Sequence, residues 1–259
     1  MSDLDLLCGF VREKTQNVIN RARATQILGR LLLEYPGRSL ADVLATLDAM
    51  PSVPAWMSSI ITINETFFFR HPEHFELLKA RLPRLRPRGG TVQALCAGSS
   101  TGQETYSVAM VMAAELPPET PFAVTGIDLD PRVVEIAKRG EYTDADVSRT
   151  PEAHRLQVLH AMDTRVTAHG ALHHVKDDLQ SKVRFLQGNI FKAILDRYDV
   201  VFVRNVLIYF TEANRSALVS RLWQRVNPGG LLFVGAGELL PAEFRAGAPA
   251  TSVLEGKAA

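Results

Sequence analysis

The sequence predicts an α/β fold, a mostly parallel sheet with helices on both faces, preceded by a small all-helical domain. Three observations carry this expectation. From Val92 onward, short apolar runs of strand length alternate with segments of helical length. Between Val92 and Tyr142 the order is strand, Gly-rich turn, helix, strand, and the second strand ends in Asp128-Leu129-Asp130. Residues 4 to about 50 instead carry apolar side chains at helical spacing. The Pro/Arg/Gly stretch from Pro83 to Gly90 is the expected boundary. It divides an N-terminal helical domain with its linker helix, 1–85, from a second domain, 86–259.

In the first part, Leu6, Leu7, Phe10, Val11 and Val18 form one helical stripe, and Ile27, Leu28, Leu31 and Leu32 form the next. Ser39 is placed to cap a helix over Leu40 to Leu47, which Pro51 and Pro54 end. An apolar segment starts at Trp56 and runs into Asn64-Glu65-Thr66-Phe67-Phe68-Phe69-Arg70, and a helix follows from Pro72 to Leu82. In the second part, strands are expected at 92–96, 122–127, 183–187, 199–203 and 231–235, and helices at 103–115, 131–139 and 212–226. Asn227-Pro228-Gly229-Gly230 reads as a turn before the fifth strand. Residues 143–182 are the least regular part of the sequence. It holds a helix near 151–161 and a hairpin turning at His169-Gly170.

Bulk properties narrow the function classes. Of 259 residues, 46% are hydrophobic and 22% charged, enough to bury a sizeable core. A formal net charge of +1 argues against binding nucleic acid by charge alone. Two cysteines, Cys8 and Cys96, give neither a disulfide framework nor a metal spacing, which suits a reducing compartment. The acidic start Met1 to Asp5 lacks the pattern of a signal peptide, and no apolar run is long enough to span a bilayer. A cytoplasmic monomer with no bound metal is the expectation.

The turn Ala97-Gly98-Ser99-Ser100-Thr101-Gly102 lets backbone approach a ligand closely. An acid at the tip of the next strand, Asp128, can accept hydrogen bonds from both hydroxyls of a ribose. The turn has neither the spacing that seats a dinucleotide pyrophosphate nor a Walker-type phosphate loop. A ligand with a ribose and no phosphate fits better, and S-adenosylmethionine is the common one. A structural strand–helix–strand unit with a tight glycine turn is the plainer alternative.

Five blocks in order resemble the chemotaxis-receptor glutamate O-methyltransferases of the CheR type. Asn64 to Arg70 looks like that family's T-x-F-F-R segment, and Ala97 to Ser107 is similar to its G-x-S-T-G-x-E-x-Y-S loop. Gly126 to Asp130 with Gly140-Glu141-Tyr142, Arg204 to Phe210, and Gly229 to Glu238 complete the set. The resemblance implies a Rossmann-like methyltransferase sheet, a small subdomain inserted at 143–182, and an S-adenosyl-L-methionine cofactor that leaves as S-adenosyl-L-homocysteine. It also implies cofactor contacts from Asn64, Thr66, Arg70, Gly98, Glu104, Asp128, Asn189, Ile190, Arg204 and Asn205, with Tyr209 near the transferred methyl. The expected partner is the helical cytoplasmic region of a chemoreceptor. The first helices match weakly, and Thr251 to Ala259 holds little of the family's aromatic closing strand.

The reaction so implied esterifies a glutamate side chain. A carboxylate with pKa ~4.3 is already an anion near neutral pH, so no general base is needed. Catalysis then rests on positioning the reacting atoms and excluding water. Arg70 can pair two-pronged with the carboxylate of substrate or cofactor, or can form an interdomain salt bridge. Glu104 suits a cationic amino group, or the helix dipole. Asp128 binds ribose or caps the helix at Pro131, with Asp130 the better cap. Asn189 contacts an adenine amine or caps a turn, and Tyr209 meets the ligands or is structural. Phe67, Phe68 and Phe69 are read as core, and Arg21, Arg23 and Arg30 as a basic face or a solvated one. Two other readings keep the fold: methyl transfer to another protein or a small molecule, and a sensor that binds the cofactor without turnover. The Asn64–Arg70 segment weighs against a generic small-molecule enzyme.

Overall fold

The computed structural model describes residues 2–85, 90–168, 170–235, 237, 238, 240, 242–245 and 253–255. Helices α1 (Asp3–Thr15), α2 (Arg21–Glu34), α3 (Leu40–Asp48) and α4 (Ala55–Ile61) make the N-terminal module. Ser2, Asn20 and Ser39 each accept a backbone N–H three residues on, so every one of the first three helices starts on a side-chain cap. Leu7, Val11, Ile27 and Leu31 of the expected stripes bury with Leu47 and Met57 into one apolar cluster of their own, whereas Val18 and Leu32, counted in the same stripes, are exposed.

After α5 (Pro72–Arg81) the chain enters the sheet. Residues 86–89, where the expected boundary falls, lie outside the described residues. The order is then β1 (Val92–Ala97), α6 (Gln103–Glu115), β2 (Phe122–Asp128), α7 (Pro131–Arg139), β3 (Glu141–Thr143), α8 (Asp144–Ser148), α9 (Glu152–His160), β4 (Met162–Thr167), β5 (Gly170–Val175) and α10 (Asp177–Gln180). It closes with β6 (Val183–Gln187), β7 (Tyr198–Val203), α11 (Glu212–Trp223), β8 (Val226–Val234), α12 (Ala242–Arg245) and β9 (Val253–Glu255).

The main sheet runs β6-β2-β1-β7-β8-β9, parallel except for β9, which pairs antiparallel with β8. Apolar residues cover both faces, as a parallel sheet requires. Phe68, Phe69 and Phe75 pack on one face with Phe202 and Phe233, while Leu95, Val201 and Leu218 pack on the other. A second, antiparallel sheet in the order β3-β5-β4 occupies the segment read as an insertion.

Two readings are corrected. Asn227 to Gly230 is part of β8, not a turn before it. The strand begins at Val226 and absorbs the extra residues in a register shift opposite Tyr198 and Val200. The preceding helix therefore stops at Trp223, short of 226. The short β9 does close the sheet edge, although the aromatic pattern is missing; residues 251, 252 and 256–259 lie outside the described residues. His169, named for the hairpin turn, is also outside them, while Thr167 pairs with Gly170 at that end.

Candidate functional site

β1 has β2 on one side and β7 on the other, so chain order reverses between β1 and β7. Open α/β sheets bind ligands at the carboxyl ends of strands flanking such a reversal. A cleft opens there, and all eleven residues named from the sequence line it: Asn64, Thr66, Arg70, Gly98, Glu104, Asp128, Asn189, Ile190, Arg204, Asn205 and Tyr209.

The floor follows from the turn after β1. Gly98 has φ +80, and a Cβ there would stand 2.3 Å from Cγ2 of Val206, so glycine is required. Ser100 also adopts positive φ, 48°, and its N–H donates to Oδ2 of Asp128 at 2.8 Å. The N–H of Asp130 donates to Oδ1 of Asp128 at 3.0 Å. Asp128 thus ties the turn to the end of β2 while facing the cleft. Burial pushes its carboxyl up from the ordinary value, and the N–H groups of Asp130 and Ser100 oppose that. Asp128 does not cap α7; Asp130 does, accepting the N–H of Arg132 at 2.9 Å.

Glu104 sits in the first turn of α6 and Arg204 just past β7. Nε of Arg204 donates to Oε2 of Glu104 at 2.8 Å, with both side chains buried. Oε1 of Glu104 is buried and has no hydrogen-bond partner among the described residues. A buried carboxylate oxygen left bare is costly, and it marks a place for a donor. Burial raises the Glu104 pKa, with Arg204 pulling it back. The other nitrogens of Arg204 are used as well: Nη1 meets Nδ1 of His74 at 3.1 Å, and Nη2 donates to the carbonyl of Arg70. The His74 pKa is lowered to about 4, first by burial and then by Arg204, so its ring is neutral and Nδ1 can accept. His74 was not singled out from the sequence, because a lone histidine on a helix carries no signal. Arg204 organises this wall from within the protein rather than reaching freely into the cleft.

The 64–70 segment forms the opposite wall. Nδ2 of Asn64 donates to Oδ2 of Asp130 at 3.2 Å, and the Asn64 carbonyl accepts from Oγ of Ser100 at 3.0 Å. Phe68 and Phe69 are fully buried and anchor the segment, the N–H of Phe69 donating to Oγ of Ser107 at 3.0 Å. Phe67 is only partly buried and keeps its ring near Cζ of Arg70, 5.8 Å from the centroid. Nη1 of Arg70 donates to the Glu65 carbonyl at 2.8 Å.

Past β7, Asn205 has φ 58 and its N–H donates to Oε2 of Glu238 at 2.7 Å. Glu238 also accepts from the N–H groups of Ile208 and Gly235, at 3.1 and 3.0 Å. This buried carboxylate therefore fixes the loop that carries Asn205 and Tyr209. The Tyr209 hydroxyl lies 3.5 Å from the carbonyl of Ile63, too long for a firm O–H···O bond, so it is available to a ligand.

Asn189 departs from the expectation. Its Oδ1 accepts the N–H of Phe191 at 3.0 Å, and its Nδ2 donates to Gln16 at 2.8 Å. The turn-capping reading holds, and its amide is shared with the helical module. That module supplies cleft residues the sequence did not reveal, Thr15 and Asn17, and the N–H of Val18 donates to the Tyr209 carbonyl at 2.7 Å. The three arginines read as a basic face or a solvated one are locally engaged. Arg21 lies 3.8 Å from Asp5, Arg23 donates to the Ile61 carbonyl at 3.1 Å, and Arg30 pairs with Glu34 at 2.9 Å.

Among the described residues no cluster of three or more His, Cys, Asp or Glu could hold a metal ion, and no helix is long and apolar enough to cross a membrane.

Residues 64–250 match the family described as CheR methyltransferase, SAM binding domain. A chemotaxis protein methyltransferase of Vibrio anguillarum is 30% identical over 247 residues, 92% of this chain and 86% of its own. One from Klebsiella aerogenes is 32% identical over 232 residues, 87% of this chain and 76% of its own. Chemotaxis protein methyltransferase 1 of Pseudomonas aeruginosa is 30% identical over 250 residues, covering 92% and 87% respectively.

Proposed function

The chain belongs to the CheR methyltransferase family, and from that premise we propose that it esterifies glutamate side chains of chemotaxis receptors with a methyl group from S-adenosylmethionine. The observation that carries this is the bare, buried Oε1 of Glu104 on the wall of a cleft whose floor only glycine can make. Such an oxygen fits the cationic amino group of the cofactor's methionine part. Bound there, the cofactor supplies an electrophilic methyl on a positively charged sulfur.

The chain's own residues do the rest. Asp128, at the strand tip, takes the ribose hydroxyls, and Gly98 lets the turn pass close to Val206 at the floor of the cleft. Asn64, Thr66, Ile190 and Asn205 line its remaining edges, and Asn189 supports one of them through its capped turn. Arg204 holds Glu104 aimed and opposes the burial that raises its pKa. Arg70 and the weakly held hydroxyl of Tyr209 orient the incoming carboxylate at the mouth, without a general base because that carboxylate is already an anion. Too tight a grip by Arg70 would blunt the nucleophile, so its orientation matters more than its attraction.

In this reading residues 1–85 are the helical domain with its linker helix, and 86–259 the methyltransferase domain with 143–182 inserted as a small subdomain. The separate apolar cluster of the first four helices supports a distinct helical module, while Phe75 and Leu78 of the linker helix, with Leu82 and Leu85 just after it, pack into the core of the sheet. The enzyme works as a monomer in the cytoplasm, where the helical part of the receptor is reached. Radiolabelled methyl transfer into a cell extract tests the proposal. A labelled band that releases methanol in alkali is expected, and alkali-stable label, or none, rejects it.

A further inference from the structure

Glu65 engages two arginines at the mouth of the cleft. Its carbonyl accepts from Arg70, and its carboxylate pairs with Nη2 of Arg149 at 2.9 Å. Both guanidiniums also lie against the ring of Phe67, with Cζ of Arg149 at 4.9 Å and Cζ of Arg70 at 5.8 Å from its centroid. The two cations are therefore no further apart than those two distances laid end to end. Arg149 comes from the turn between α8 and α9, within the small subdomain, and the side chains of Arg149 and Glu65 are 47% and 60% exposed. An exposed pair of this kind adds little stability, so its carboxylate is readily exchanged for another.

Side chains three or four residues apart on a helix are neighbours, with Cβ atoms about 5–6 Å apart. Two glutamates one turn apart can thus present their carboxylates to the two cations together. We propose that Arg149 is a specificity-determining residue that binds a second carboxylate on the substrate helix, one turn from the glutamate being esterified. Glu65 occupies that position in the free enzyme and gives way when the helix docks. The inference rests on the methyl-transfer reading and adds a rule to it: a glutamate with an acidic neighbour one turn away is preferred. Esterifying one of two such glutamates removes its charge and lowers the reactivity of the other.

The probes are synthetic helical peptides with one glutamate as acceptor and Glu, Gln or Lys one turn to either side. Binding is read by fluorescence anisotropy with S-adenosylhomocysteine present, and transfer by alkali-released methanol. Wild type should favour the Glu neighbour over Gln by about threefold to tenfold in kcat/KM, a gap that narrows as salt is raised. Arg149→Glu should reverse the order, favouring Lys, while calorimetry gives unchanged cofactor affinity. A merely structural Arg149 would not reverse a charge preference. An Arg149→Glu variant with the wild-type order, or a wild type indifferent to the neighbour, overturns the inference and leaves the methyl-transfer reading intact. A wild type that esterifies none of the peptides counts against both.

Discussion

Arg204 and Glu104, 100 residues apart in sequence, form a buried ion pair at 2.8 Å that joins the end of β7 to the start of α6. Removing one member strands the other charge in the protein interior, at a cost of about 3–5 kcal/mol. Arg204→Ala is therefore expected to unfold at a markedly lower denaturant midpoint. Glu104→Gln keeps the volume and a hydrogen-bond acceptor for Arg204 without its countercharge, so it should fold with reduced stability and lose cofactor affinity about tenfold or more. Wild-type affinity by calorimetry in that variant would remove Glu104 from the cofactor site.

Arg70 separates from stability in the same way. Its guanidinium's recorded hydrogen bond goes to the exposed-side carbonyl of Glu65, so Arg70→Ala should shift unfolding by under about 1 kcal/mol. Methyl transfer should fall on the order of 100-fold, mostly in kcat. Unchanged turnover would take Arg70 out of the reaction.

Asp128→Ala should weaken cofactor binding by about tenfold to 100-fold, because it loses the ribose acceptor and also frees the N–H groups of Ser100 and Asp130. Asp128→Asn retains an acceptor and should lie between. Isothermal calorimetry ranks the three proteins, and an Ala variant that binds like wild type rejects the role.

The His74 ring sets a pH dependence. Its folded pKa of about 4 lies below the ordinary 6.5, so between these values the unfolded chain binds a proton that the folded one does not. Stability from this group is present above about pH 6.5 and is lost as pH falls toward 4, by an amount on the order of 3 kcal/mol. Urea titrations at pH 4, 5 and 6.5 should show that slope. His74→Gln should flatten it, and an equal slope in both proteins would assign it elsewhere.

Much of this was legible in the chain. The bounds of α6 and α7 follow from Gly102, Asp130 and Gly140, residues whose backbone or capping preferences act locally. The five parallel strands announced themselves as short apolar runs. The Asn227–Gly230 stretch did not, because turn-forming residues were absorbed by a register shift that only the neighbouring strand reveals. The cradle of Gly98 and Asp128 was readable since both sit at strand ends within one strand–helix–strand unit. The uses of Arg204, His74, Glu238 and Asn17 were not, because each depends on partners brought from distant segments.

The contact between Val18 and Tyr209 makes the helical module a fourth wall of the cleft, joined to it backbone to backbone. Occupancy and interdomain attachment are then linked functions. A ligand that touches both parts strengthens their association by some factor, and a change that loosens the association weakens the ligand by that same factor.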